Sequence, residues 1–260
     1  MTEVAKAKPE GAPARLSLRE TPSSERPLRT VWLGRCGYRH ALAVQEGCRE
    51  AVLAAGGERP ETLYLLEHDH VFTLGRNAVR GDIVASDEWL AARGVEVVEC
   101  DRGGKVTYHG PGQLVGYPVI SLQPDRRDVR RFVADLMQVL VRTVGEYGVE
   151  AEAGQGDEIG VWTRPDPERF RMRRKIASIG VHLKRWTSTH GLALNVAPDL
   201  GFFGGIVPCG LHGVELTSIE RETGAAPRLE EVAAVLDRHF RQVFGRPLGG
   251  RYGDAPEAVR

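Results

Sequence analysis

Segments typical of β-strands dominate the middle of this sequence, and helical segments are interspersed among them without a regular strand–helix–strand alternation. Branched and aromatic residues, or an alternation of apolar and acidic residues, mark several of these strands. The predicted strands are "RTVWLGR", "TLYLLEHDHVFTLG", "VEVVECD", "KIASIGVHLKRW", "HGLALNV" and a stretch near "VELTSI". Because the alternation is irregular, the pattern predicts an α+β fold, in which helices pack on a mixed β-sheet.

Four segments are predicted to form helices. In "GYRHALAVQEGCREAVLAAGG" an apolar stripe recurs at three- and four-residue steps, and the paired glycines predict its end. The stripe consists of Ala41, Val44, Cys48, Val52 and Ala55, so Cys48 is predicted to pack in the core. The other helical segments are "SDEWLAAR", which begins with a serine cap, "RRDVRRFVADLMQVLVRTVGEYG" and "LEEVAAVLDRHFRQVFG".

The length of 260 residues is sufficient for one large domain. We predict a flexible N-terminal arm over residues 1–28, a single domain over residues 29–247 and a C-terminal tail over residues 248–260. The arm has mixed charges, four prolines and no apolar core, which is unlike a secretory signal or an organelle transit peptide.

Charge and cysteine content argue against several classes of function. The 35 basic residues balance 35 acidic residues, so no overall field draws the chain to nucleic acid or to an anionic membrane. No apolar run approaches the roughly 20 residues that a membrane-spanning helix needs. The four cysteines, Cys36, Cys48, Cys100 and Cys209, form no CxxC pair. Reduced thiols in a cytoplasmic protein are therefore predicted, rather than a zinc site or a disulfide framework.

The strongest local signal is "RGGKVTYHGPGQLVGY", residues 102–117. Gly103 and Gly104 permit a close approach of the backbone and a positive φ, and residues 110–112 predict a second tight bend. The polar groups of this segment are Arg102, Lys105, Tyr108 and His109. A glycine-rich loop that begins with arginine suits the binding of a phosphate or an acyl carbonyl. A β-hairpin that merely needs its glycines is the alternative.

Three further features combine polar groups with glycines or an apolar strand. Lys175 ends a basic run and adjoins an apolar strand, so it is expected to point into a partly dry site, whereas the run itself is typical of a solvated face. "HGLALNV" places Gly191 where a backbone can come close to a ligand. In "GGIVPCGLHGVE", proline and glycine bend the backbone around Cys209, which favours an accessible thiol over a core cysteine. An ordinary loop cysteine is the alternative.

His68 and His70 in "EHDH" would share one face of a strand and therefore raise the question of a metal site. No third ligand follows at a diagnostic spacing, whereas metal sites usually have three or four. We therefore predict no metal and no other cofactor.

Together, "RGGKVTYHGPGQLVGY", "KIASIGVHL", "HGLALNV" and "PCGL" resemble the octanoyltransferases of lipoate biosynthesis, over roughly residues 30–245. "EHDHVFTLGR" is similar to an early strand of that family, which commonly has proline where this chain has Asp69. The resemblance implies a fold like the catalytic module of biotin and lipoate protein ligases. It also implies octanoyl-acyl carrier protein as the donor. The implied acceptors are the lipoyl domains of 2-oxoacid dehydrogenase E2 subunits and of the glycine cleavage H protein.

The resemblance implies roles for individual residues. Cys209 matches the cysteine that forms the acyl-thioester intermediate, and Lys175 matches the lysine that lowers the pKa of that thiol. The positions that match the acyl-substrate segments are Arg102, Gly103, Gly104, Lys105, Val106, Thr107, Tyr108, His109, Ser178, Ile179, Gly180, Gly191, Leu192 and Ala193. The tetrahedral intermediates need donors, for which the candidates are backbone amides near Cys209 and Gly210 or at the Gly103-Gly104 turn, with help from His109.

Other functions fit parts of the same pattern. An ATP-dependent lipoate or biotin protein ligase on the same scaffold would activate a free acid as an adenylate and would not need Cys209. An octanoyl shuttle would act only between lipoyl domains. A non-catalytic acyl-binding module would need neither Cys209 nor Lys175.

Overall fold

The computed structural model describes residues 26–55, 61–156, 158–165, 172–207, 214–246 and 253–254. Cys209 and Gly210 lie outside these residues, as do most of the predicted arm and tail. Arg26 and Leu28 are both buried, so they belong to the fold rather than to the predicted arm, which was placed over residues 1–28.

Within the described residues, eight strands form a mixed sheet in the order β11-β1-β2-β6-β10-β9-β8-β7. Strand β1 pairs in parallel with β2 and β11, and the other neighbours are antiparallel. The strands are β1 (Leu28–Cys36), β2 (Glu61–His68), β6 (Gln113–Val119), β7 (Ala151–Ala153), β8 (Val161–Thr163), β9 (Lys175–Lys184), β10 (Thr187–Asn195) and β11 (Gly253–Asp254). The predicted α+β fold with a mixed sheet is confirmed, and β11 shows that part of the predicted tail pairs with the sheet.

A smaller sheet of three strands lies beside the first, again within the described residues. Strand β3 (Val71–Leu74) pairs in parallel with β4 (Glu96–Glu99) and antiparallel with β5 (Val106–His109). The single strand predicted for "TLYLLEHDHVFTLG" is therefore wrong, because β2 and β3 belong to different sheets. Both halves are apolar and buried, and the polar residues 67–70 between them stand where the chain leaves the large sheet.

Helices cover the large sheet on both faces. Helix α1 (Tyr38–Ala54) packs on β10, β6 and β2, whereas α3 (Val129–Gly145) and α5 (Leu229–Phe244) pack together on the opposite side. The predicted stripe of α1 is partly wrong, because Gln45 and Arg49 are buried there. Cys48 is half-buried and packs against the core beneath this helix, as predicted.

The short helices and the helix ends follow local signals. Helix α2 (Asp87–Ala92) has the predicted cap, because the Ser86 hydroxyl accepts a hydrogen bond from the Trp89 amide at 3.2 Å. Helix α4 (Ile219–Thr223) occupies part of the strand predicted near "VELTSI", where Leu216 makes only an isolated bridge with Lys175. None of the helices in the described ranges combines the length and apolar character that crossing a bilayer requires.

A buried ion-pair cluster ties the two ends of the described chain to the large sheet. Glu61 accepts from the Arg26 guanidinium at 3.1 Å, and the Arg246 guanidinium nitrogen lies 2.6 Å from the other carboxylate oxygen. The backbone amide of Ser121 also donates to Glu61 at 2.8 Å. Because all three charged side chains are buried, the carboxylate is the group that neutralises two guanidinium ions inside the protein.

Replacing Glu61 by Gln is expected to lower the free energy of unfolding by about 3–5 kcal/mol, because it removes the buried negative charge that lies against two buried guanidinium groups. Urea denaturation measures this loss. Glu96→Gln is the matched control, since Glu96 pairs with Arg39 in an exposed position and should cost at most about 1 kcal/mol. Equal losses of unfolding free energy in Glu61→Gln and Glu96→Gln would contradict a stabilising role for the buried ion-pair cluster.

Candidate active site

A cavity of about 380 Å³ lies along β9 and β10, between the loop of residues 102–105 and the first turn of α3. Lys175 lines it together with all of the predicted acyl-substrate residues except Tyr108. Segments that are far apart in the sequence therefore meet at one cavity. Additional residues that line it are Tyr38, Tyr117, Val129, Val133, Ile159, Val181 and His190.

Strands β5 and β6 do not form the hairpin that was the alternative for residues 102–117. Strand β5 pairs with β3 in the small sheet, and β6 pairs with β2 and β10 in the large sheet. The predicted bend at residues 110–112 therefore carries the chain from one sheet to the other. An added Cβ at Gly112, which has φ +82°, would lie 2.3 Å from the Ala197 carbonyl oxygen, so this position requires glycine.

The glycine-rich loop is held by its own polar groups. The Gly103 amide donates to the Val181 carbonyl of β9 at 3.0 Å. The Arg102 guanidinium donates to the Thr73 carbonyl at 2.7 Å and to the Thr73 hydroxyl at 2.8 Å. These contacts fix the loop between the two sheets. Arg102 thus lines the cavity mainly as a structural residue, and the Gly103 amide is committed to the sheet rather than free to stabilise an oxyanion.

Gly104 differs from Gly103. Its φ is +88°, as the predicted turn requires, and its amide makes no hydrogen bond to any residue that the structure describes. Of the two amides predicted at this turn, the Gly104 amide is therefore the one available to an oxyanion.

Gly180 and Gly191 lie directly opposite each other on β9 and β10. An added Cβ at Gly191 would lie 2.2 Å from the Gly116 carbonyl oxygen of β6, and one at Gly180 would lie 3.0 Å from the Gly103 carbonyl oxygen. A neighbouring strand thus requires glycine at position 191, and Gly191 also lines the cavity.

Tyr108 lies outside the cavity, in the core of the small sheet. Its side chain is fully buried, its ring stacks on Phe202 at a centroid distance of 5.1 Å, and its hydroxyl is hydrogen-bonded to His70 Nδ1 at 2.9 Å. Tyr108 is therefore the one predicted acyl-substrate residue that does not line this cavity. Strand alternation alone does not explain this, because Val106 shares the face of Tyr108 on β5 and does line the cavity.

His109 is a buried, neutral histidine whose tautomer is set by Gln113. The Gln113 amide nitrogen donates to Asn195 Oδ1 at 2.9 Å, so its oxygen accepts from His109 Nδ1 at 2.7 Å. Burial lowers the pKa of His109 to about 3. The ring's one proton is committed to Gln113, so in this arrangement Nε2 is an acceptor and cannot donate to an oxyanion as predicted.

His68 and His70 have separate partners. His68 Nδ1 donates to the Cys36 carbonyl at 2.9 Å, and Nε2 accepts from the Tyr117 hydroxyl at 2.8 Å. Burial lowers the pKa of His68 to about 4. His70 instead contacts Tyr108, beyond the end of β2. Among the residues described, no three side chains of the metal-ligating types are grouped as a metal site would need.

His190 is a site residue that the sequence analysis missed. It is 1% exposed and has φ +56°, which is uncommon for a residue other than glycine. Its amide donates to Gln45 Oε1 at 2.6 Å and its Nε2 donates to Asp101 Oδ1 at 2.7 Å. This bond from His190 is the main reason that the pKa of Asp101 is lowered to about 2, and His182 contacts the other carboxylate oxygen.

Lys175 begins β9 and is only 4% exposed, as the prediction of a partly dry site requires. Its backbone amide donates to the Glu215 carbonyl at 2.9 Å, and its carbonyl accepts from the Thr217 amide at 3.0 Å. The chain that follows Cys209 therefore returns to the backbone of Lys175 at Glu215. Cys209 itself lies outside the described residues.

Comparison with known proteins places these features in a family. A model of the lipoyl protein ligase A/B catalytic domain matches residues 37–241. The octanoyltransferase of Myxococcus xanthus is 46% identical over 231 residues, which are 88% of this chain and 61% of that protein. The octanoyltransferase of Koribacter versatilis is 45% identical over 214 residues, which are 82% of each chain. This chain thus spans less than two thirds of the Myxococcus xanthus protein and most of the Koribacter versatilis protein.

A solved structure shares the fold. A bipartite lipoate protein ligase from Thermoplasma acidophilum superimposes with a TM-score of 0.68 at 16% identity, covering 90% of this chain and 89% of that one. At this identity the similarity concerns the fold alone.

The lowered pKa values of His68 and His109 predict a loss of stability in acid. In the unfolded chain each binds a proton below pH 6.5 or so, but the folded protein does not protonate His68 until about pH 4 or His109 until about pH 3. As pH falls from 6.5, each histidine therefore lowers the free energy of unfolding by up to about 1.4 kcal/mol per pH unit. His109→Gln should reduce this slope in urea denaturation between pH 7 and pH 5. His40→Gln, an exposed control on α1, should leave the slope unchanged. A slope that falls in His40→Gln but not in His109→Gln would contradict the assignment of this acid sensitivity to His109.

Proposed function

Because the chain belongs to the octanoyltransferases of the lipoyl protein ligase A/B catalytic domain family, we propose that it transfers an octanoyl group from octanoyl-acyl carrier protein to a lysine of a lipoyl domain. The observation that carries this proposal is the cavity at which Lys175 and the glycine-rich loop meet. Candidate acceptors are the lipoyl domains of 2-oxoacid dehydrogenase E2 subunits and the glycine cleavage H protein. A cytoplasmic location would bring donor and acceptors together.

The walls of the cavity suit an acyl chain. Val106, Ile179, Leu192 and Ala193 line it, and Val129 and Val133 add two branched side chains from the first turns of α3. Each methylene that an octanoyl chain buries here contributes about 0.8 kcal/mol to binding. The half-exposed residues of β9, from Ser178 to Leu183, leave this side of the cavity open to a carrier-bound substrate.

Two steps through Cys209 account for the transfer. The Cys209 thiolate attacks the carbonyl carbon of the donor thioester, the tetrahedral intermediate collapses, and the carrier's thiol leaves with a proton. The amine of the acceptor lysine then attacks the new thioester, loses a proton and releases Cys209 with an amide formed. Division into two steps spares the enzyme from docking two proteins at one carbonyl, and no nucleotide is needed because thioester is converted to amide.

Lys175 has two tasks in this scheme. Its ammonium stabilises the Cys209 thiolate, whose unperturbed thiol would be largely protonated at neutral pH. Its amine then exchanges protons with the departing thiol and the arriving amine. Burial supports both tasks, because charges interact more strongly where water is excluded. The Gly104 amide is the proposed donor to the oxyanion from the glycine-rich loop.

Mixing the protein with octanoyl-acyl carrier protein alone, without ATP, is expected to yield one octanoyl group on Cys209. Intact-mass spectrometry measures the adduct, which hydroxylamine should remove because thioesters are labile to it. Cys209→Ala should give no adduct, whereas Cys48→Ala should behave as the unchanged protein. Acyl transfer to a lipoyl domain that requires ATP and never labels Cys209 would favour the ligase alternative.

Lys175→Ala is expected to slow acylation of Cys209 and to move its half-maximal rate to higher pH, because the thiolate loses its neighbouring cation. Rapid-quench sampling with mass detection, repeated across pH, measures both effects. Lys184→Ala is the control, since Lys184 lies on the same strand but is exposed and pairs with Glu50 at 3.0 Å. An unchanged pH profile in Lys175→Ala would remove this lysine from the mechanism.

A further inference from the structure

A β-bulge determines on which face of the large sheet the Lys175 side chain lies. Val161 of β8 lies opposite Ala177 of β9, but the next residue, Trp162, lies opposite Lys175, so Ile176 is the extra residue. Val161, Ile176 and Ala177 all belong to the main hydrophobic core. The bulge therefore reverses the alternation of side chains, and Lys175 shares a face with Trp162 rather than with Ala177.

The residue two positions before Trp162 leaves room for the lysine. Gly160 has φ +140°, and an added Cβ would lie 2.6 Å from Lys175 Cε and 3.2 Å from its Nζ. The same Cβ would lie 2.6 Å from the Ala177 carbonyl oxygen. Any side chain at Gly160 must therefore displace the Lys175 side chain and also shift the backbones at Gly160 and Ala177 apart.

The Trp162 ring supplies an electron-rich surface beside the same ammonium. Lys175 Nζ lies 5.4 Å from the ring centroid, within the range of a cation–π interaction. Trp162 is itself held by a hydrogen bond from its Nε1 to the Glu158 carbonyl at 2.9 Å. Arg173 also lies over this ring at 4.9 Å, but its charge is compensated by Glu158 at 2.9 Å.

We propose that Gly160 and Trp162 are positioning residues for Lys175: glycine leaves the space that the ammonium occupies, and the indole ring holds the ammonium toward the cavity. This inference rests on the role proposed above for Lys175. Neither residue lines the cavity, so both act through Lys175. Other charged or titratable side chains that line the cavity are Tyr38, Arg102, Lys105, His109, Tyr117 and His190.

The test measures the ionisation of Cys209 directly, so that it does not depend on octanoyl transfer. The rate at which iodoacetamide alkylates Cys209 is followed by peptide mass mapping between pH 5 and pH 9. The variants are Trp162→Leu, Trp162→Phe, Gly160→Ala and Lys175→Ala. Acylation by octanoyl-acyl carrier protein is measured in parallel, and thermal unfolding is recorded for each variant.

We expect Trp162→Leu to lower the rate of both reactions at pH 7 by about threefold to thirtyfold and to move the half-maximal alkylation to higher pH. Trp162→Phe keeps a ring face and should lie closer to the unchanged protein. Gly160→Ala should lower the rate of acylation by about ten- to a hundredfold, because it displaces the Lys175 ammonium from its position beside the thiolate. In Lys175→Ala, a further Trp162→Leu change should have no added effect on the pH midpoint.

Two controls separate positioning from stability. Trp89→Leu removes a tryptophan that carries Arg93 over its ring at 4.4 Å, outside the cavity, and should leave the pH midpoint unchanged. Gly47→Ala changes a glycine of α1 whose added Cβ meets no atom within 4 Å.

The outcomes of the two reactions are separable. If the melting temperature of Trp162→Leu falls but its alkylation midpoint equals that of the unchanged protein, the positioning role is overturned. This outcome does not depend on whether Gly160→Ala folds. If the unchanged protein is never acylated yet Trp162→Leu shifts the alkylation midpoint, the proposed function is wrong and the positioning role stands.

Discussion

The hydrogen bond from the Gly103 amide to the Val181 carbonyl is the contact on which the cavity depends. It attaches the loop of residues 102–105 to β9 of the large sheet, while the same loop leads into β5 of the small one. The approach is possible because Gly180 has no side chain, and Gly75 on the other side leaves similar space for the Gly104 carbonyl. Glycines thus serve as packing surfaces, and the cavity is the space that remains beside them.

Local signals predicted α1, α2, α3 and α5, whereas α4 lies where a strand was predicted. Ser86 caps α2, and Gly245 ends α5 with φ +63°. Strands were harder to assign, since their partners determine their limits. The polar residues 67–70 interrupt the apolar segment where the sheet changes, but a polar interruption does not show that the next strand joins another sheet. Strands β7 and β8 have only three residues each, too few to show a period.

The site was predictable where the motif residues themselves line the cavity, and it was not where distant residues complete it. His190 becomes recognisable only when Gln45 binds its amide and Asp101 binds its ring. Tyr108 shows the opposite limit, because a residue inside a specific motif belongs to the core of the small sheet. A motif identifies a segment, but neither the motif nor the alternation of a strand tells which of its side chains reach the cavity, because Val106 lines it and Tyr108, on the same face of β5, does not.

Lys175 shows why even that alternation must be read from the folded chain. Strict alternation along β9 would place Lys175 on the face of Ala177, in a hydrocarbon core where an ammonium ion is strongly disfavoured. One extra residue at Ile176 resolves the conflict, because it sends two apolar neighbours to the core and turns Lys175, which lines the cavity, to the face of Trp162. A buried ammonium is then tolerated because polar and aromatic groups surround it. The exclusion of water that makes its burial costly also strengthens its effect on an anion nearby, so the same bulge that reconciles the lysine with the fold suits it to support a thiolate.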